Sequence, residues 1–231
     1  IDTNAKNNTI KNNRISNSTS AGIAIISDLS VPGAGLRQRN FIYSNNLSSN
    51  LVNINSSFSI NINATNNTLE CIGCNYDIVV EGTSSLYSLN NSFDESKVKI
   101  KNNDSNLTVA YFIDVNSIVS DNSSNLPDVN ISLYYNQSND SGATSSFVNR
   151  FEENTGADSL TNLYEVIAYI RNSTGNTTNN LPFNITANKT GWNNDNLNST
   201  LLWIGSSLPT FKMGLSSAIV IVDSNPPIVY L

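Results

Sequence analysis

Cys71-Ile72-Gly73-Cys74 is the one place in this 231-residue chain where two redox-active side chains come together. The spacing would suit a thioredoxin-like site if a βαβ pattern surrounded it, and none does. A structural zinc ion needs two further Cys or His ligands, and the chain has no third cysteine and no histidine. The spacing therefore predicts a short disulfide between Cys71 and Cys74 in an oxidising compartment, with a reduced buried pair as the alternative. The missing histidine also removes the commonest general base and every His-dependent triad. The candidate carboxylates are Asp94 with Glu95, Glu152 with Glu153, and Asp28 with Arg37 and Arg39. Neighbours on a strand face opposite ways, Glu152 and Glu153 read as a loop, and no Asp cluster recurs from one repeat to the next. The expectation is no catalytic residue, no metal-site residue and no enzyme. Oxygen groups at 120–128 and 138–142 permit calcium but do not follow the EF-hand pattern. Trp192, Trp203, Tyr134 and Tyr135 are the aromatics that could stack on sugars, although packing is their commoner role.

The densest chemical signal lies in asparagine, which occupies 42 positions. Asn-x-Ser/Thr, the acceptor pattern for N-glycosylation, begins at Asn7, Asn17, Asn46, Asn55, Asn63, Asn66, Asn90, Asn103, Asn106, Asn122, Asn130, Asn136, Asn139, Asn172, Asn176, Asn184, Asn188 and Asn198. A chain this rich in Asn, Ser and Thr produces some matches by chance. Their spread along the whole chain still fits a protein exposed on all sides. Only 13 % of residues are charged, against about a quarter in an ordinary soluble protein. Attached glycans would supply the missing solubility, and N-linked glycans are the one covalent group expected.

Net charge is −6, with no basic patch, so nucleic acid is excluded as a partner. No apolar run approaches the roughly 20 residues of a membrane span. Ile1-Asp2-Thr3 is not a signal peptide, so either a signal was removed or this is an excerpt of a longer chain.

Short β elements must position these groups. Asn8-Thr9-Ile10 is followed by Asn12-Asn13-Arg14-Ile15 and Gly22-Ile23-Ala24-Ile25. Asn40-Phe41-Ile42 is followed by Asn45-Asn46-Leu47 and Val52-Asn53-Ile54. The theme returns at 67–80 and 88–100, with an interruption at 27–39 that could be a binding loop or a plain insertion. Each unit has two short apolar marks and one longer strand, and it cannot bury its apolar face without stacking on a neighbour. Three strands per turn, with Asn at the corners and Ile inside, predict parallel β-helix turns over 1–105; an antiparallel sandwich is the competing arrangement. From 106 to 223 the rhythm changes to six or seven longer strands between Asn/Gly/Ser turns, which predicts a β-sandwich. Residues 224–231 read as a Pro226-Pro227 break and a short apolar strand, Ile228-Val229-Tyr230-Leu231, placed to act as a linker or to donate a strand to a neighbour.

"NNTIKNNRIS" and "NNTLECIGCNYDIVV" resemble NosD-like and pectate-lyase-like β-helix repeats over about the first 100 residues. "YFIDVNSIVSD", "PDVNISLYYNQ" and "PFNITANKTGW" resemble the carboxypeptidase-regulatory-like, immunoglobulin-like modules of archaeal surface proteins, although the usual Asp-x-x-Gly turn is altered. The resemblance implies a short right-handed parallel β-helix followed by an immunoglobulin-like β-sandwich, in an archaeal surface protein. The expectation is an all-β, extracellular, N-glycosylated structural protein of a filament, surface layer (S-layer) or adhesin. It would self-associate through strand edges and could bind glycans. A carbohydrate-binding adhesin module and a β-helix polysaccharide lyase or hydrolase are the alternatives.

Overall fold

The computed structural model describes residues 7–27, 39–119, 122–137, 146–180, 183–194, 200–201 and 210–215. Those residues are all-β: strands joined by corners, one 3-10 turn at Glu95–Lys97 and no α-helix. None contributes a helix long and apolar enough to cross a membrane. Two compact units emerge, residues 1–112 with 165–179, and residues 113–164 with 180–231.

The first unit repeats a three-strand theme. β1 (Thr9–Lys11), β2 (Arg14–Ser16) and β3 (Ala21–Ile26) make the first round. β4 (Asn40–Tyr43), β5 (Asn46–Ser48) and β6 (Val52–Ser57) make the second, and β7 (Ile62–Thr65), β8 (Thr68–Glu70) and β9 (Tyr76–Glu81) the third. A fourth round comprises β10 (Ser85–Leu89), a bridge from Ser92 to Thr68, and β11 (Val98–Ile100). Equivalent strands pair in parallel across rounds, giving the orders β1-β4-β7-β10, β2-β5-β8 and β3-β6-β9-β11. Parallel sheets need a connection that returns the chain to the same end, and here the other two strands of each round provide it.

Register puts like on like. Ile15, Leu47 and Leu69 align in one sheet, and Ile23, Ile54, Ile78 and Val98 in another. Ile42, Leu47, Ile62 and Leu107 are wholly buried, whereas Ile10 and Ile15 of the first round are half-exposed. Corners follow from backbone sterics. Asn7, Asn12, Asn17, Ser44, Ser49, Phe58, Asn66, Thr83 and Asn90 all hold φ between 53° and 60°. Asn tolerates this left-handed region better than other non-glycine residues. Bulky Phe58 fits because Gly82 lies beside it; a Cβ there would meet the Phe58 ring at 2.4 Å.

The stack does not stop at residue 105. β12 (Asn106–Ile113) pairs in parallel with β10, Leu86 opposite Leu107. Beyond β12 the same sheet takes in β16 (Tyr164–Asn172) and the antiparallel β17 (Gly175–Asn179). Residues 165–179, whose rhythm suggests the second half, thus complete the first unit.

The second unit holds two sheets. One orders β13 (Asn116–Val119), β21 (Thr210–Leu215) and β19 (Trp192–Asn194). The other is antiparallel, ordering β15 (Ser146–Asn154), β14 (Asn130–Gln137), β18 (Phe183–Asn188) and β20 (Thr200–Leu201), with an irregularity between Leu133 and Tyr134. Val115, Leu126, Val129, Ile131, Leu133 and Ile185 form its core.

Candidate functional site

The asparagines divide into two populations. Six are buried among the described residues: Asn40, Asn45, Asn50, Asn53, Asn67 and Asn91. None of the six begins an Asn-x-Ser/Thr acceptor. They form ladders. Asn13 donates from its backbone N–H and its Nδ2 to Asn45 Oδ1, each at 3.0 Å. Asn45 does the same to Asn67 at 2.9 and 3.0 Å, and Asn67 to Asn91 at 2.7 and 2.9 Å. Nδ2 also reaches backward to a carbonyl of the preceding round, as from Asn67 to Ile42 O at 2.8 Å. A serine column runs beside it: Ser27 and Ser59 share a hydroxyl bond, Ser59 N–H donates to Ser84 Oγ, and Ser84 N–H donates to Ser105 Oγ. The expectation that Asn marks corners and Ile the inside is therefore half the account. The left-handed corner residue points out, and the residue after it points in.

The sequon asparagines form the second population. Asn7, Asn17, Asn46, Asn66, Asn103, Asn122, Asn176 and Asn188 are exposed, and Asn55, Asn63, Asn90, Asn106, Asn130 and Asn172 are half-buried. The side chains of Asn136, Asn139, Asn184 and Asn198 lie outside the described residues. Adjacent pairs show the division: Asn46, Asn66 and Asn90 are solvent-accessible beside buried Asn45, Asn67 and Asn91. The recurring Asn-Asn dipeptide was the available signal for it.

Cys71 and Cys74 are joined in a disulfide, closed around Gly73 at φ +70°. Asp77 lies nearby, with one carboxylate oxygen and the two sulfurs all within 4.8 Å of one another. Bridged sulfurs are not thiolates, the form that binds metals. Asp77 is wholly buried and accepts from Asn53 Nδ2 at 2.6 Å and from Asp94 N–H at 2.9 Å. Burial pushes its carboxyl above the usual 3.8; the Asp94 N–H and the Asn53 amide oppose that rise. No pattern around Asp77 in the sequence distinguished it.

The paired carboxylates have structural partners. Asp94 caps the 3-10 turn, accepting from Ser96 N–H at 2.8 Å and Ser96 Oγ at 2.7 Å, bonds that hold its carboxyl below the usual range. Glu152 and Glu153 are not in a loop but on β15, where cross-strand pairing with β14 extends the strand. Glu152 accepts from Asn130 Nδ2, and Glu153 from Asn162 and from the Tyr164 hydroxyl at 2.9 Å. Trp192 begins β19 and is half-buried, as is Tyr134. The Tyr135 side chain, Asp28, Arg37, Trp203, residues 138–142 and the apolar tail Ile228, Val229, Tyr230 and Leu231 lie outside the described residues.

One cleft of the second unit, about 320 Å³, is lined by Asp128, Asn130, Asn154, Asn188, Lys189 and Thr190. Register creates it: Asn188, Asn130 and Asn154 sit opposite one another on three adjacent strands. Lys189 Nζ donates to Pro127 O at 2.7 Å and Asp128 O at 3.2 Å, and lies 3.9 Å from Asp128 Oδ2. Asn154 Nδ2 donates to Asp128 Oδ1 at 2.9 Å. An amide row flanked by a carboxylate and an ammonium can exchange hydrogen bonds with hydroxyl groups. Its lining comes from strand ends 58 positions apart for Asn130 with Asn188 and 61 apart for Asp128 with Lys189, so no local motif announced it. Comparison with protein families, with curated proteins and with solved structures finds no match to this chain.

Proposed function

We propose that this chain is a non-catalytic, heavily N-glycosylated structural segment of an extracellular surface assembly. In this reading a short right-handed parallel β-helix is followed by an immunoglobulin-like β-sandwich, and assembly proceeds through strand edges. The division of the asparagines carries the proposal. All six buried ones make interior hydrogen bonds, three of them in the round-to-round ladder, and none is an acceptor, whereas every sequon asparagine with a described side chain is at least partly accessible. Glycans can therefore be attached without breaking the interior. The in-register parallel stack supports a stiff element, and among the described residues β1, β2 and β3 each end their sheet, with backbone groups able to accept another strand. Electron microscopy of negatively stained native material tests the assembly. Filaments or a lattice are expected, and deletion of residues 226–231 should abolish them. Isolated monomers, or assembly unchanged by the deletion, overturn the strand-edge mechanism.

The cleft at Asp128 and Lys189 favours a second reading, a carbohydrate-binding adhesin module. That reading requires a monomer with measurable affinity for a neutral saccharide, lost on Asp128→Ala.

A further inference from the structure

Strand register brings four of the sequon asparagines together as two pairs. Asn66 and Asn90 occupy the same corner of successive rounds, with φ of 54° and 53°, and Asn90 Nδ2 donates to Asn66 Oδ1 at 2.7 Å. Asn130 and Asn188 are direct partners across β14 and β18. We propose that each pair carries a single glycan in the folded protein, on Asn66 and not Asn90, and on Asn188 and not Asn130. This rests on the glycoprotein reading above and selects among its sites.

The chemistry sets two requirements. In N-glycosylation, Nδ2 forms a bond to the anomeric carbon of an activated glycosyl phosphate donor. The bond from that carbon to the phosphate oxygen breaks, the phosphate leaves with the electron pair, and one Nδ2 proton passes to a base. The nitrogen must therefore be accessible, and the space beyond it must be empty.

Accessibility separates the members. Asn66 is exposed, and none of its N–H groups is engaged by a described side chain; Asn90 is half-buried with its Nδ2 directed at Asn66. Asn188 is exposed at the cleft beside Thr190, the hydroxyl of its own acceptor motif. Asn130 is half-buried, and its Nδ2 donates to Glu152 Oε1 at 3.1 Å and Asn154 Oδ1 at 3.4 Å, which uses both hydrogens. Space then forbids double occupancy. Neighbouring strands lie about 4.8 Å apart, and directly opposed Cβ atoms about 5 Å apart. Two branched, hydrated glycans cannot leave the surface from such adjacent points. The bar to double occupancy holds in either order of events, because a chain modified at both sites before folding could not close the register; the choice within each pair is made on the folded chain.

The test is site-resolved glycopeptide mass spectrometry on the full chain, secreted from a host that N-glycosylates. No Lys or Arg lies between Arg39 and Lys97, so one tryptic peptide carries Asn66 and Asn90 together with Asn46, Asn55 and Asn63, and backbone fragmentation of that peptide assigns which asparagines are modified. The expected result is modification at Asn66 and Asn188 and none at Asn90 and Asn130. Asn66→Gln and Asn188→Gln should each lower the intact glycan count by one, and Asn90→Gln and Asn130→Gln should leave it unchanged. A peptide carrying glycans at both Asn66 and Asn90, summed occupancy of Asn130 and Asn188 above one, or occupancy of the disfavoured member overturns the proposal. If other sequons are occupied in that case, the glycoprotein reading survives; if no sequon is occupied, both fall.

Discussion

In the first unit, polar side chains form columns that are buried beyond the exposed Asn13. Asn13, Asn45, Asn67 and Asn91 pass hydrogen bonds from round to round, and Ser27, Ser59, Ser84 and Ser105 do so beside them. In the second unit they form a local knot. Ser117 Oγ donates to Leu126 O at 2.6 Å, Thr155 Oγ1 accepts from Val129 N–H at 3.1 Å, and Thr161 Oγ1 accepts from Val115 N–H at 2.9 Å. Both arrangements satisfy buried backbone groups at corners, as they must. The difference is propagation. A column member serves the rounds before and after it, so its loss strands donors and acceptors on two neighbours. A knot member ties several segments at one place: besides Val129 N–H, Thr155 Oγ1 meets Ser117 Oγ at 3.2 Å and Leu126 O at 3.4 Å.

The largest test of that contrast is Asn67→Ala. It leaves the Asn45 backbone N–H without its acceptor and the Ile42 carbonyl without the Nδ2 donor, while Asn91 Oδ1 keeps the residue-67 backbone N–H. At about 1–3 kcal/mol for each stranded buried group, a loss of about 4 kcal/mol is expected in chemical denaturation. Thr155→Val in the second unit should cost about 2 kcal/mol, since Val129 N–H loses its acceptor. Equal losses in the two variants would remove the distinction between column and knot. Replacing Cys71 and Cys74 together by serine should cost about 2 kcal/mol or less, because a cross-link spanning a sequence separation of 3 restricts little unfolded chain. Tyr164→Ala should cost about 1 kcal/mol beyond its lost burial, from the stack on Phe151 with centroids 4.1 Å apart.

The subtlest effect concerns the buried carboxyl beneath the ladder. Because burial raises the Asp77 pKa, its favourable contribution is full below pH 3.8 and is lost as pH rises through the folded pKa. The stability difference between wild type and Asp77→Asn should therefore favour wild type most in acid and shrink with rising pH. A difference that grows with pH would mean that the bonds from Asn53 and Asp94 outweigh desolvation.

Much of the first unit was legible. The marks at Ile10, Ile15 and Ile23 and their counterparts at Ile42, Leu47 and Ile54 are register partners in three sheets. Apolar spacing reports such stacking because only aligned apolar residues exclude water from a parallel interior. Asn45 and Asn46 were not separable by type, since an amide suits an interior ladder and a wet corner equally well. The backbone decides: left-handed Ser44 turns its side chain outward, Asn45 after it projects inward, and Asn46, opening β5, faces out again. Glu152 and Glu153 read as a loop because alternating charge and polarity mask a strand whose pairing is set by β14. The attachment of β16 to the first unit was likewise not legible, because a strand's own alternation does not specify which distant strand it pairs with, here β12 on one side and β17 on the other.

The sequence by itself determined the all-β class, the polar, low-charge surface, the acceptor motifs and the cysteine spacing, because these depend on residue type and local period. Only the tertiary structure decided which asparagines lie inside, which sequons face each other, and that Asp128 and Lys189 share a cleft. Those depend on pairing between strands distant in sequence, where the free energy of burying apolar columns outweighs any local preference.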